Sequence, residues 1–178
     1  MADPAEDMVD DLVRRVDGRL AAVRAGHDDV AVPVYSHERF DVVAGERRLV
    51  GPADVMVVEG LNLLQDPPPG VPVSGPVRRH LDVSVYLDAP QELLAEWFVQ
   101  RFVDLARPDH GEPADFYRRF GSMDDDELRA VARWTWDNIN APNVADHVEP
   151  TRRHAQLVVH KGPGHRSERI DEGGPLLS

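Results

Sequence analysis

Asp54-Val55-Met56-Val57-Val58-Glu59-Gly60 is a continuous apolar run that ends on a carboxylate and a glycine. A strand with one wet face alternates apolar and polar residues. A run without alternation suits a strand buried on both faces of a parallel sheet. A second such run, Val83 to Leu87, is followed by Asp88-Ala89-Pro90, and a third is Leu157 to His160. Between them lie helical patterns. Pro90 suits a first helical turn, and Leu93, Leu94, Trp97, Phe98, Phe102 and Leu105 continue a helix to about Leu105. Strands alternating with helices predict an α/β fold, a mostly parallel sheet flanked by helices. Ligands bind such sheets at the strands' carboxyl ends, which selects Tyr35-Ser36-His37, Glu59 to Asn62, and Asp88.

The remaining elements follow from the same patterns. Residues 6–25 read as an amphipathic helix that Gly26 ends. Val30 to Tyr35 contains Pro33 and reads as an edge strand or extended loop. Asp41 to Ala44 and Arg47 to Val50 flank Gly45-Glu46 as a hairpin. Asp66 to Pro76 and residues 107–114 are loops, and Phe116 to Phe120 is a short helical piece. Ser122, with Asp125 three residues on, predicts an N-cap for a helix reaching about Ile139. Asn140 to Pro150 reads as irregular, and a short strand is expected near Arg169-Ile170. The organisation expected is one domain over 1–170 and a flexible tail over 171–178.

Composition narrows the function. The 178 residues carry 32 acidic and 20 basic side chains, a formal net charge of −12. General nucleic-acid binding depends on neutralising phosphates, so this balance argues against it. No apolar run approaches the roughly 20 residues that span a bilayer, and the acidic start lacks a signal-peptide pattern. A cytoplasmic protein is expected. Without cysteine there is no disulfide framework, thiolate metal site or cysteine nucleophile. Lys161 is the only lysine.

Few residues stand out chemically. Glu59 closes an apolar strand, as does the carboxylate that orients hydrated Mg²⁺ near nucleotide phosphates. A glutamate that merely leaves the core fits equally well. Arg101 shares a helical face with Leu94, Phe98 and Leu105, so it needs an anionic partner, either a structural carboxylate or a phosphate. His37 is a cleft residue or a hydrogen-bonded loop residue. Asn138, Asn140 and Asn143 cap a helix end or line a polar pocket. Histidine spacing gives no metal-binding helix motif.

Six segments in order, PVYSH (33–37), DVMVVEGLNLLQ (54–65), VSVYLDAP (83–90), FVQRF (98–102), WDNINAPN (136–143) and EPTRRHAQLVVHKGPGH (149–165), resemble the bacterial type I pantothenate kinases. These are P-loop kinases of the uridine kinase-like group. The resemblance implies ATP-dependent phosphorylation of pantothenate, the first step of coenzyme A biosynthesis. It implies that Glu59 and Arg101 are catalytic, with Glu59 holding Mg²⁺ through water. It places Tyr35, His37, Phe98 and Asn140 at the substrate, and His37, Arg101 and Phe102 at ATP or the inhibitor coenzyme A. Phe98 stands where the family has a pocket tyrosine, so one ligand hydrogen bond is missing.

The same resemblance implies a phosphate loop, GxxxxGK[ST], well before PVYSH. No such motif occurs in these residues, and Lys161 is followed by Gly162 with no glycine loop before it. The fold expected is therefore a P-loop kinase-like sheet missing its first two strands and its phosphate loop. Little or no kinase activity is expected from this chain alone. A homodimer, or a partner that supplies the missing strands, would complete the sheet. The alternatives are a pseudokinase or split subunit that binds coenzyme A, pantothenate or an active paralogue, and an α/β interaction module without a ligand.

Overall fold

The computed structural model describes residues 15–36, 41–67, 75–107 and 115–173. It is a mixed α/β structure with two small sheets. Helix α1 (15–24) ends at Gly26, whose φ of 79° is open to glycine. Gly26 N–H donates to Val23 and His27 N–H to Ala22, which satisfies the last carbonyls of the helix. Residues 6–14 of the expected helix lie outside the described residues. Asp17 ties α1 to the 3₁₀ turn Val77–His80, meeting Arg79 at 2.8 Å and His80 at 2.9 Å.

Strands β1 (Val30–Ser36) and β2 (Asp41–Val50) pair antiparallel, from Val30 opposite Val50 to Ser36 opposite Asp41. The hairpin expected at Gly45-Glu46 is instead an irregularity within β2. The register shifts between Pro33 and Tyr35, and Gly45 takes a φ of 79°. A glycine in the left-handed region absorbs extra residues as a bulge as readily as it makes a turn. Pro33 costs little in a two-stranded sheet, where both strands are edges.

The second sheet has the order β3-β4-β5, from β3 (Val85–Asp88), β4 (Leu157–Lys161) and β5 (Ser167–Glu172). β3 and β4 are parallel, and β5 is antiparallel to β4. β5 runs past residue 170, with Asp171 and Glu172 opposite Val158 and Leu157. Residues 174–178 lie outside the described residues.

The stretch Asp54 to Val58 is not a strand. It is irregular, with Val55 81% and Val57 88% exposed. The burial expected of the second run is also not met, since Val85 is 46% and Leu87 64% exposed. An isolated extended segment gains no ladder hydrogen bonds; among the described residues Asp54 to Val58 has no strand partner and β3 has one on one side only.

Two apolar clusters hold the rest. The larger joins α2 (Gln91–Ala106), α3 (Asp115–Arg118) and α4 (Asp125–Thr135) through Phe102, Val103, Ala106, Tyr117, Leu128 and Ala132. The buried stripe of α2 is Ala95, Phe102, Val103 and Ala106, and Arg101 lies off it, exposed. The cap of α4 is Asp124, not Ser122. Its carboxylate accepts from Glu127 N–H while Glu127 accepts from Asp124 N–H. Beyond α4 the chain stays helical where an irregular segment was expected. It has π turns at Trp136–Asn140 and Val144–Val148 and a 3₁₀ turn over Glu149–His154. The smaller cluster is Leu64, Ala155 and Val158 beneath β4.

Candidate functional site

β3 and β4 run in parallel and end side by side on Asp88 and His160. Their carboxyl ends open into a cavity of about 430 Å³. Asp88, Ala89 and Pro90 line it from the β3 end, and His160 and Lys161 from the β4 end. Glu168 and Arg169 line it from β5. This is the place where a parallel pair presents side chains to a ligand.

Charge alternates across this strand end. Arg152 lies 3.4 Å from Asp88, Asp88 3.0 Å from His160 Nδ1, and His160 Nε2 2.9 Å from Asp171. Arg169 meets Asp171 at 2.9 Å and His160 Nε2 at 3.0 Å. A neutral imidazole donating to Asp88 can accept from Arg169, and an imidazolium can donate to both carboxylates. Lys161 sits at the cavity wall, with its Nζ 5.9 Å from the Trp97 ring centre. His165 stacks on the same Trp97, ring centres 4.1 Å apart. The cavity thus offers lysine and arginine cations, two carboxylates and a nearby aromatic surface, a mixture suited to a polar small molecule.

The residues singled out from sequence are spread more widely. Tyr35 is half-exposed near the end of β1, and Glu59 is exposed on the irregular segment after Val58. His37 lies outside the described residues. Phe98 is half-buried on α2, 5.8 Å from the Trp136 ring. The π turn Trp136–Asn140 packs on α2 with the Trp136 ring beside Phe98, and Asn140 closes the turn. Arg101 is exposed near Tyr117, and Phe102 is buried at 6% against Tyr117 and Phe120. Burial pushes the Tyr117 hydroxyl above its usual pKa.

Of the residues that line the cavity, the strand-end rule marks only Asp88. His160, Lys161 and Arg169 were missed, although the same rule applied to Leu157 to His160 would have reached His160. Arg169 could not be found that way, because it enters from an antiparallel strand.

No group of three or more His, Asp or Glu side chains able to hold a metal occurs among the described residues. Mg²⁺ needs only one or two carboxylates when phosphates and water complete its shell. Glu59 alone, exposed and with no phosphate loop in the sequence, does not form a complete nucleotide–metal site. No helix of the described residues is long and apolar enough to cross a membrane.

Comparison with known proteins gives the family. The chain is 38% identical over 153 residues to a pantothenate kinase of Sorangium cellulosum, covering 86% of this chain and 49% of that relative. It is 40% identical over 155 residues to a pantothenate kinase of Streptomyces avermitilis, covering 85% of this chain and 46% of that one. A pantothenate kinase of Sinorhizobium fredii is 35% identical over 153 residues. The chain spans about half the length of the curated relatives it matches. Residues 18–107, about half of this chain, match the model of the phosphoribulokinase / uridine kinase family, and the chain belongs to that family.

Proposed function

We propose that this chain is part of a pantothenate kinase, which transfers the terminal phosphoryl group of ATP to pantothenate. One observation carries the reading: relatives named pantothenate kinase align along 85–86% of the chain at 38–40% identity. The strand-end cavity, with Lys161 and Arg169 beside Asp88 and Glu168 at its wall, supports a small polar ligand. Tyr35, His37, Phe98 and Asn140 are assigned to the substrate, Arg101 to the transferring phosphate, and His37, Arg101 and Phe102 to ATP or coenzyme A. Phe102 would need its aromatic cluster to open before it could touch a ligand.

When bound, ATP with Mg²⁺ supplies the phosphoryl group and neutralises its charge. The described residues do not complete that site. Phosphoryl transfer depends on phosphate positioning and charge stabilisation, which a glycine loop and its lysine provide. Residues 1–178 hold neither, and turnover by this chain alone is proposed to be absent. A binding-only role for residues 1–178, as a pseudokinase or split subunit, is the second reading.

A coupled assay for ATP-dependent phosphorylation of pantothenate separates these outcomes, with Glu59→Ala as the control. The expected result for residues 1–178 is no turnover, with measurable coenzyme A binding by calorimetry. Turnover that Glu59→Ala abolishes would refute the inactivity. Absence of binding to ATP, pantothenate and coenzyme A alike at millimolar concentration would refute the ligand assignment.

A further inference from the structure

A second cavity, of about 360 Å³, opens between α1 and the start of β1 and shares no residue with the strand-end cavity. Arg15, Gly18, Arg19 and Ala22 line it from α1, at spacings of three and four that put them on one helical face. His27 and Asp29 line it from the loop that leads into β1. The cavity therefore gathers two guanidinium groups and an imidazole against a single carboxylate. It does so in a chain whose net charge is −12.

Neighbouring charges are committed elsewhere. Arg24, further along α1, meets Asp82 at 2.8 Å and the His80 carbonyl at 3.0 Å. Asp17, the carboxylate of α1 beside Gly18, is held by Arg79 and His80. Arg19 is different. It is half-buried, and among the described residues no carboxylate, carbonyl or ring pairs with it. A guanidinium drawn out of water without an anion is costly, and its forked donors match an oxyanion. Gly18 adds room. A glycine inside a helix is less favourable than alanine, yet packing does not demand one here, since a Cβ built on Gly18 meets no atom within 4 Å. The space it leaves is part of the cavity.

We propose that the cavity between α1 and β1 binds a phosphate-type oxyanion, independently of the kinase reaction. Arg19 is its principal donor, Arg15 adds a second guanidinium one helical turn away, and His27 faces them from the loop. An imidazole carries a ring N–H in either protonation state, so His27 can donate throughout. Asp29 opposes a large build-up of negative charge, which favours one phosphate group over a polyphosphate chain. The site lies at the amino end of β1, whereas the strand-end cavity lies where β3 and β4 finish.

The test is titration of residues 1–178 with inorganic phosphate, against sodium chloride at matched ionic strength, without ATP or pantothenate. NMR follows the Arg19 side-chain N–H and the His27 ring, and saturable shifts at both are expected. Arg19→Gln should weaken binding about tenfold or more, the effect of losing a charged hydrogen bond to the anion. Gly18→Glu sets a carboxylate in the open space and should abolish binding. Asp29→Asn should tighten it. Arg133→Gln, which removes an exposed arginine of α4, should leave it unchanged. No saturable shift at Arg19, or binding indifferent to both helix variants, overturns the proposal. So does a phosphate response confined to Lys161 and Arg169. Asp29→Asn changes an exposed loop residue and keeps the test decisive if a helix variant fails to fold, since unchanged or weaker binding there also overturns it. A chain that binds phosphate here but neither pantothenate nor ATP would count against the kinase reading and not against this site.

Discussion

At the level of single residues, Asp66 meets three basic side chains, more than any other carboxylate among the described residues. Arg78 reaches it at 2.6 Å, while Arg153 and His154 approach within 3.6 and 3.4 Å. The hydrogen bond from Arg78 lowers the Asp66 pKa below the usual carboxylate value. His154 is also lowered, first by burial and then by the charge of Arg78. Both signs act in the same direction. A histidine whose folded pKa lies below 6.5 adds stability above that pH, and loses it as acid protonates the unfolded chain first. A depressed carboxylate adds stability above its ordinary pKa of about 4 and loses it as pH falls further. Stability should therefore fall in two stages, below about pH 6.5 and then below about pH 4. Thermal melts of His154→Gln should flatten the first stage and leave the second. Unchanged melting between pH 7 and 5 in the parent chain would contradict this. The same arginine fixes the loop, since Arg78 also donates to the carbonyls of Leu64 and Gln65, and that seats Leu64 in the smaller core. None of this was legible in the sequence, because the partners are 12 to 88 residues apart.

Among the elements, helices were easier to read than strands, and for a local reason. A helix satisfies its hydrogen bonds within itself, so the spacing of Leu93 to Leu105 was enough to place α2 within a residue at its end. The cap of α4 was misplaced by two residues, because Ser122 and Asp124 both fit an N-cap and only geometry shows the reciprocal bonds with Glu127. Asp124→Ala should cost about 1 kcal/mol of α4 stability, read as faster amide exchange in its first turn. Asp126→Asn should change it far less, since the capping bonds remain. Strands depend on neighbours. The apolar runs at 54–58 and 83–87 were identified by composition, yet only the second is paired in the structure, because β4 lies beside it. The candidate site shows the same division. Asp88 followed from a strand-end rule, whereas Arg169 depends on β5 folding back antiparallel, a fact of topology with no local motif.

For the molecule as a whole, surface area expresses what the separate elements imply. Val55, Val57, Leu61, Val83 and Leu87 are 81%, 88%, 64%, 63% and 64% exposed. Leu128 is the one large side chain that is fully buried among the described residues. Apolar burial drives folding, and those exposed side chains contribute little to it. Residues 1–178 should unfold over a broad range, below the roughly 45–65 °C typical of mesophilic domains, and should bind a hydrophobic dye before heating. Addition of the other kinase half should raise the midpoint in a concentration-dependent way and suppress dye binding, because it binds only the folded chain. Calorimetry with dye fluorescence checks both. A sharp transition above that range, with no dye bound, would mean that the exposed valines and leucine of the β3 edge are stable in water and need no cover.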